Sequence, residues 1–226
     1  MAEPLKKNLD RELEKNFVVI IFAKAPAPGE VKTRLIPALG AEHAAMLHTA
    51  LTERAIETAQ RTDAAEVELC CAPDSNHAFF EACKEDFDVV LTAQGDGDLG
   101  TRMLAALNRA LLDFDCAIVI GADCPALTVQ HINAAASKLD HADIVLTPAD
   151  DGGYALIGAA RTDAHMFDAI DWGSDVVLEQ QRRNLQTCQL KWDEMETLWD
   201  VDRPEDLVRL KALKPPLAFY WPPDRV

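Results

Sequence analysis

The chain has 226 residues, 49% of them hydrophobic, and carries a formal net charge of −16. That length encloses one large core and is short for two, and the acidic balance excludes the basic surface that nucleic acid or an anionic membrane demands. The longest uncharged apolar run, Phe17 to Ala23, falls far short of the roughly 20 residues that cross a bilayer.

Residues 1–16 mix Lys6, Lys7, Arg11 and Lys15 with acids and hold no apolar stretch. They read as a flexible lead-in, neither a secretory signal nor a span, to a single domain over 17–226. The six cysteines, at 70, 71, 83, 116, 124 and 188, include no Cys-x-x-Cys pair. They read as reduced, buried thiols of a cytoplasmic protein. Cys70 and Cys71 are adjacent on a predicted strand and so point to opposite faces, which suits a core and not a metal clip.

Phe17 to Phe22 is β-branched and aromatic without polar alternation, the pattern of a strand buried on both faces in a parallel sheet. The prolines and Gly29 of Ala25-Pro26-Ala27-Pro28-Gly29 then force a turn. Lys32, Thr33 and Arg34 follow at an expected helix start. Lys24, Lys32 and Arg34 are the only basic residues between Lys15 and Arg54. Fixed cations, backbone N–H groups and a helix dipole past a strand end would suit phosphate. The loop fits neither the P-loop, which needs a Gly-Lys-Ser/Thr ending, nor the three-glycine dinucleotide fingerprint.

Helical periodicity predicts an amphipathic helix from Ala41 to Gln60. Its His43 and His48 have no acidic or cysteine partner at metal-ligand spacing and are assigned no chemistry. Strands are expected over Val67–Ala72 and Phe87–Thr92, with a short helix over His77–Lys84 between them and another helix over Leu104–Leu112. Asp98 is a candidate N-cap. Cys116 to Ile120 reads as a central strand ending in Gly121-Ala122-Asp123-Cys124-Pro125. A carboxylate just past such a strand end is placed to grip a hard cation between ligand phosphates, which makes Asp123 a candidate metal ligand. One aspartate does not hold a metal alone.

A helix from Thr128 to Leu139, strands over Asp143–Thr147 and Ala155–Gly158, a helix capped by Ser174, a late strand at Leu190–Trp192 and a last helix after Pro204 complete the alternation. Gly152 and Gly153 permit a close backbone approach between the two strands. Alternating strands and helices with unalternated strands give an α/β, doubly wound, mostly parallel sheet. The strand-to-strand step near Asp151 predicts an antiparallel edge element.

Ala23-Lys24-Ala25-Pro26-Ala27-Pro28-Gly29-Glu30-Val31-Lys32-Thr33-Arg34-Leu35 resembles the signature loop of the GT-A-like nucleotide-diphospho-sugar transferase superfamily. Three further segments, in the same order, strengthen the resemblance: Gln94 to Met103, Gly121-Ala122-Asp123-Cys124-Pro125, and Pro148-Ala149-Asp150-Asp151-Gly152-Gly153-Tyr154. Asp200-Val201-Asp202-Arg203-Pro204-Glu205-Asp206-Leu207 is similar to the tail of related nucleotidyltransferases. The resemblance runs from Phe17 to Leu210 and points to a DUF2064-type member, related to molybdenum-cofactor and phospholactate nucleotidyltransferases. Alanine stands at 122, where the Asp-x-Asp of many glycosyltransferases has its first aspartate.

The resemblance implies a single GT-A-like (Rossmann-like) domain and a metal-dependent transferase using Mg²⁺ or Mn²⁺. It implies that Lys24, Gly29, Lys32, Thr33, Arg34, Gln94 and Arg102 bind the nucleotide, that Asp123 and Asp151 are catalytic, and that Asp200 or Asp202 joins Asp123 at the metal. The partners would be a nucleotide-sugar or nucleoside triphosphate and a small-molecule acceptor. A glycosyltransferase would release a nucleoside diphosphate and a nucleotidyltransferase would release pyrophosphate, while a binding module would release nothing. The Ala-Pro-x-Pro-Gly spelling of the loop resembles the glycosyltransferase branch.

Overall fold

Phe17–Lys24 forms the first strand, β1, and both of its faces are covered. The computed structural model describes residues 16–219, Trp221 and Pro222, so the expected lead-in lies, apart from Asn16, outside the described residues. Val19, Ile21 and Ala23 point into one apolar layer and Val18 and Ile20 into the other, as the twofold periodicity of a strand requires. The missing polar alternation in the sequence is thus explained by burial on both sides.

The chain continues through a 3₁₀ turn at Thr33–Leu35, α1 (Ile36–Leu39), α2 (Ala41–Gln60), β2 (Glu66–Ala72), α3 (Ala78–Phe87) and β3 (Val90–Ala93). Then come α4 (Leu99–Ala110), β4 (Cys116–Gly121), α5 (Val129–Lys138), β5 (Ile144–Pro148) and β6 (Tyr154–Ala159). The last elements are α6 (Val177–Thr187), β7 (Trp192–Glu194) and α7 (Asp206–Lys211). The seven strands lie in the order β3-β2-β1-β4-β6-β5-β7. β6 pairs antiparallel with both β4 and β5, and the other pairings are parallel. The reversed element expected near Asp151 is therefore β6, set in the β7 half of the sheet.

Helices α2, α3 and α5 cover one face of the sheet, packing Ile56, Phe80 and Ile132 onto it. Helices α4 and α6 cover the other with Met103, Leu107, Val177 and Leu185. A smaller cluster ties α1 and α2 to α7 through Leu35, Leu39, Leu47, Leu51, Val201, Leu207 and Leu210. Cys70 and Cys71 fall into opposite layers, and all six cysteines are free thiols, five of them buried. Among the described residues no helix is long and apolar enough to cross a membrane.

Several boundaries differ from the expected ones. Phe87 ends α3 instead of opening β3, because Asp88 takes a left-handed φ of 52° and stops the helix. Helix α4 starts at Leu99, five residues before the expected start, because the Asp98 carboxylate accepts from the Thr101 amide at 2.8 Å. Gly100, in its first turn, is required there, since a Cβ would meet Trp172 at 2.8 Å and Phe167 at 2.7 Å. Ser174 is not the cap of α6. Its hydroxyl donates to the Asp171 carbonyl at 2.6 Å, and the helix begins three residues on without a side-chain cap.

Candidate active site

In the sheet order, β1 leads to β2 and β3 on one side while β4 lies on the other. The crevice beyond the carboxyl ends of β1 and β4 is thus the topological switch point, the place where open α/β sheets bind ligands. Two lobes open there, of about 500 Å³ and 490 Å³. Lys24, Arg34, Asp123 and Asp202 line both. A further hollow of about 480 Å³ lies against α2 and Lys214–Ala218, away from the strand ends.

The first lobe is built by the loop after β1. Ala27-Pro28-Gly29-Glu30 is a β-turn closed by the Glu30 amide on the Ala27 carbonyl at 3.0 Å, with Gly29 at φ 89°. Pro then Gly at the two central positions is the pairing a type II turn favours. Gly29 serves this turn and does not line the cleft. The expected helix start reduces to one 3₁₀ turn and the four-residue α1, so the anion-binding character of this loop rests on side chains, not on a helix dipole.

Lys32, itself at a left-handed φ of 49°, does not project into the lobe as a free cation. Its ammonium donates to the Val201 carbonyl at 2.6 Å and sits 2.6 Å from Asp123 Oδ1, with the side chain only 5% exposed. Arg34, 56% exposed, pairs with Asp202. Thr33 lines the lobe beside them. On the opposite wall, buried Gln94 donates to the Ala23 and Cys70 carbonyls at 3.3 Å and 3.0 Å. Its Oε1 accepts from Arg102 at 2.7 Å. Gln94 therefore joins the ends of β1 and β2 and aims Arg102, a positioning task that its place just after β3 did not disclose.

Asp123 stands at the seam of the two lobes. Its Oδ1 is shielded and faces Lys32, while the side chain as a whole is 51% exposed, so the outward oxygen opens to the cleft. Burial pushes its pKa up, but Lys32, His48 and Lys24 outweigh burial and hold it below the usual carboxylate range. His48, assigned no chemistry in the sequence, lies beside the site rather than at the surface. This side chain is buried, its Nε2 donates to the Lys24 carbonyl at 3.0 Å, and its Nδ1 lies 4.0 Å from Asp123 Oδ1. Burial lowers its pKa despite the Asp123 charge. The signal was invisible in sequence because the partner is 75 residues away and not on α2. His43 stays outside both lobes.

The second lobe carries carboxylates above an apolar floor. Asp151 Oδ1 accepts from the Gly153 amide at 2.9 Å, an Asx turn that leaves the other oxygen toward the cleft. Asp200 and Asp202 flank Val201, whose amide donates to the Asp123 carbonyl at 2.9 Å. Both return to the strand-end cleft, but to different partners. Asp202 is engaged by Arg34, whereas the Asp200 pKa is raised to about 6, first by burial and then by the charges of Asp151 and Asp123. Phe22, Leu99, Met103, Tyr154, Trp172 and Val177 form the apolar part of this lobe.

Asp200, raised by burial and by the neighbouring charges of Asp151 and Asp123, is a carboxylate that a cation would stabilise in its ionised form. Hard oxygen donors at the outward face of Asp123 and at Asp200 fit Mg²⁺ or Mn²⁺. Among the described residues no three His, Cys, Asp or Glu side chains are close enough to hold a metal unaided.

The family model described as "Uncharacterized protein conserved in bacteria (DUF2064)" matches residues 55–174, more than half of the chain. The chain belongs to the DUF2064 family. Of the cleft, the matched stretch contains Gln94, Arg102, Asp123 and Asp151. No curated protein matches this DUF2064 chain. Among solved structures it is similar to a Desulfovibrio desulfuricans G20 protein provisionally named a nucleotide-diphospho-sugar transferase. The two share 29% identity over 86% of this chain and 87% of the other, with a TM-score of 0.77. The fold is shared with 4-diphosphocytidyl-2C-methyl-D-erythritol synthase from Anaerococcus prevotii, at 12% identity over 88% of this chain and 98% of that one, TM-score 0.60. It is also shared with glucosyl-3-phosphoglycerate synthase from Mycobacterium tuberculosis, solved with Mn²⁺, UDP and phosphoglyceric acid, at 10% identity over 89% of this chain and 76% of that one, TM-score 0.52.

Proposed function

We propose that this chain is a nucleotide-using transferase that moves a glycosyl group from a nucleotide-sugar to a hydroxyl of a small acceptor. The observation that carries the proposal is the division of one strand-end cleft into a cation-lined and a carboxylate-lined lobe, with Asp123 at their seam. The similarity to the Desulfovibrio protein supports it.

In this reading the donor diphosphate lies in the first lobe against Arg34, Arg102, Lys24 and Thr33. Lys32 holds Asp123 in register with the Asp200–Asp202 segment. The acceptor hydroxyl oxygen in the second lobe bonds to the anomeric carbon as the bond from that carbon to the diphosphate oxygen breaks. Its proton passes to Asp151, and the nucleoside diphosphate departs. A divalent cation bound at the outward face of Asp123 and at Asp200 would supply neutralising charge to the leaving phosphates.

Incubation with sugar nucleotide, Mn²⁺ and an acceptor alcohol should release nucleoside diphosphate. Asp123→Asn should melt as the parent does and show no turnover. Pyrophosphate release from a nucleoside triphosphate would assign the cleft to nucleotidyl transfer, and nucleotide binding without either product would make it a binding module.

A further inference from the structure

The geometry points to an acceptor with an uncharged apolar body and a free hydroxyl, and to exclusion of phosphorylated or carboxylated acceptors; this inference rests on the transferase reading above. The second lobe, about 490 Å³, is large enough for a small organic molecule. Its apolar wall is stiff. The Tyr154 and Trp172 rings meet edge-on with centroids 6.5 Å apart, and Trp172 is backed by Phe167 at 6.1 Å. The bare backbone of Gly100 lets α4 close on Trp172. A carbohydrate with hydroxyls all round would leave much of this wall unused, whereas an aromatic or aliphatic body covers it.

The charges in the lobe act in the same direction. Of its two cations, Arg34 pairs with Asp202, and in the reading above both Arg34 and Lys24 meet the donor diphosphate, leaving Asp123, Asp151 and Asp200 toward the acceptor. Among the described residues neither Asp151 nor Asp200 forms an ion pair. Lys32 lies behind Asp123 and is already spent on its inner oxygen. The charge of a bound divalent cation is matched by the donor diphosphate, so it does not open the lobe to a second anion. Transfer to a phosphate group, which nucleotidyl transfer onto a phosphorylated acceptor requires, would place that anion against two unpaired carboxylates.

The test is calorimetric titration of the whole chain with 2-phenylethanol and with 2-phenylethyl phosphate, each alone and with UDP and Mn²⁺ present. The alcohol should bind, and its phosphate ester should bind at least about tenfold more weakly, a difference of about 1.4 kcal/mol. Asp151→Asn keeps the oxygen that accepts from Gly153 and, combined with Asp200→Asn, should bring the two ligands within a few-fold of each other. Trp172→Ala should weaken the alcohol severalfold. An ester that binds as tightly as the alcohol, an alcohol that does not bind, or alcohol binding unmoved in Trp172→Ala would overturn the inference. Loss of UDP binding with alcohol selectivity retained would count against the transferase reading and not against this one.

Discussion

The two lobes of the cleft solve opposite electrostatic problems. In the first, every cation except Lys24 is already held: Lys32 by Asp123 and Val201, Arg34 by Asp202, Arg102 by Gln94. In the second, among the described residues, Asp151 and Asp200 form no ion pair, and burial together with the charges of Asp151 and Asp123 raises the pKa of Asp200. A lobe whose charges are pre-positioned binds an anion with little reorganisation. A lobe whose charges repel each other is stabilised by whatever neutralises them. In the proposed reading, donor recognition is built into the fold, whereas the acceptor side is completed on binding.

The largest effect should come from Gly152→Ala, which attacks the second lobe through its backbone. Gly152 sits at φ 90°, and a Cβ there would lie 2.2 Å from the Asp175 carbonyl oxygen. Left-handed strain plus a backbone clash should cost about 3–4 kcal/mol, read as a lowered urea midpoint with unchanged m-value. An unchanged midpoint would mean that the Asp151 loop is free to move.

Lys32→Met is the corresponding strike at the first lobe. It strands Asp123 Oδ1 and the Val201 carbonyl, and because Asp123 is half-exposed the loss should be about 2 kcal/mol, less than for a fully buried pair. Adding Asp123→Asn should recover part of that loss in a double-mutant cycle. If the two changes simply add, the pair is not coupled and the seam between the lobes is misread.

Asp200 offers a test by pH. Its folded pKa, pushed up to about 6, lies above the ordinary carboxylate value of 3.8. The folded state therefore holds the proton longer than the unfolded chain does, and stability falls as pH rises from about 4 to about 6, then levels. Asp200→Asn should remove that fall and, with partial exposure discounted, leave the protein more stable by on the order of 1 kcal/mol above pH 6. A thermal melt series from pH 4 to 8 checks this. A variant with the parent's pH profile would show that neither burial nor the charges of Asp151 and Asp123 raise the Asp200 pKa.

The smallest structural effect should belong to Arg34→Ala. The side chain is exposed and its pair with Asp202 lies on the cleft rim, so the melting temperature should not move. Binding of UDP should weaken about tenfold while binding of uridine holds. Equal losses for nucleotide and nucleoside would place Arg34 away from the phosphates.

The sequence by itself determined the architecture and the rough address of the site. Unalternated strands such as Phe17 to Phe22 need burial on both faces, and the Pro26, Pro73 and Gly95 just past the ends of β1, β2 and β3 need turns. Both requirements are local, so they were legible without a structure. The same logic delivered Asp123 to the carboxyl edge of the sheet, while Thr128, expected as the first residue of a helix, proved to be the cap of α5, where its hydroxyl and the His131 ring cap each other's backbone. Tertiary structure alone decided which charges are free. Lys32 and Arg34 look alike in the sequence, yet one is buried against Asp123 and the other is exposed. Asp200 and Asp202 look alike too, yet only Asp202 meets an arginine. His48 carried no sequence signal because its partners, the Lys24 carbonyl and Asp123, arrive from β1 and from the end of β4. A side chain's charge is written in its residue type, but its pairing depends on which segments the sheet order brings within a few ångströms, and for these residues that order joins positions up to 169 apart.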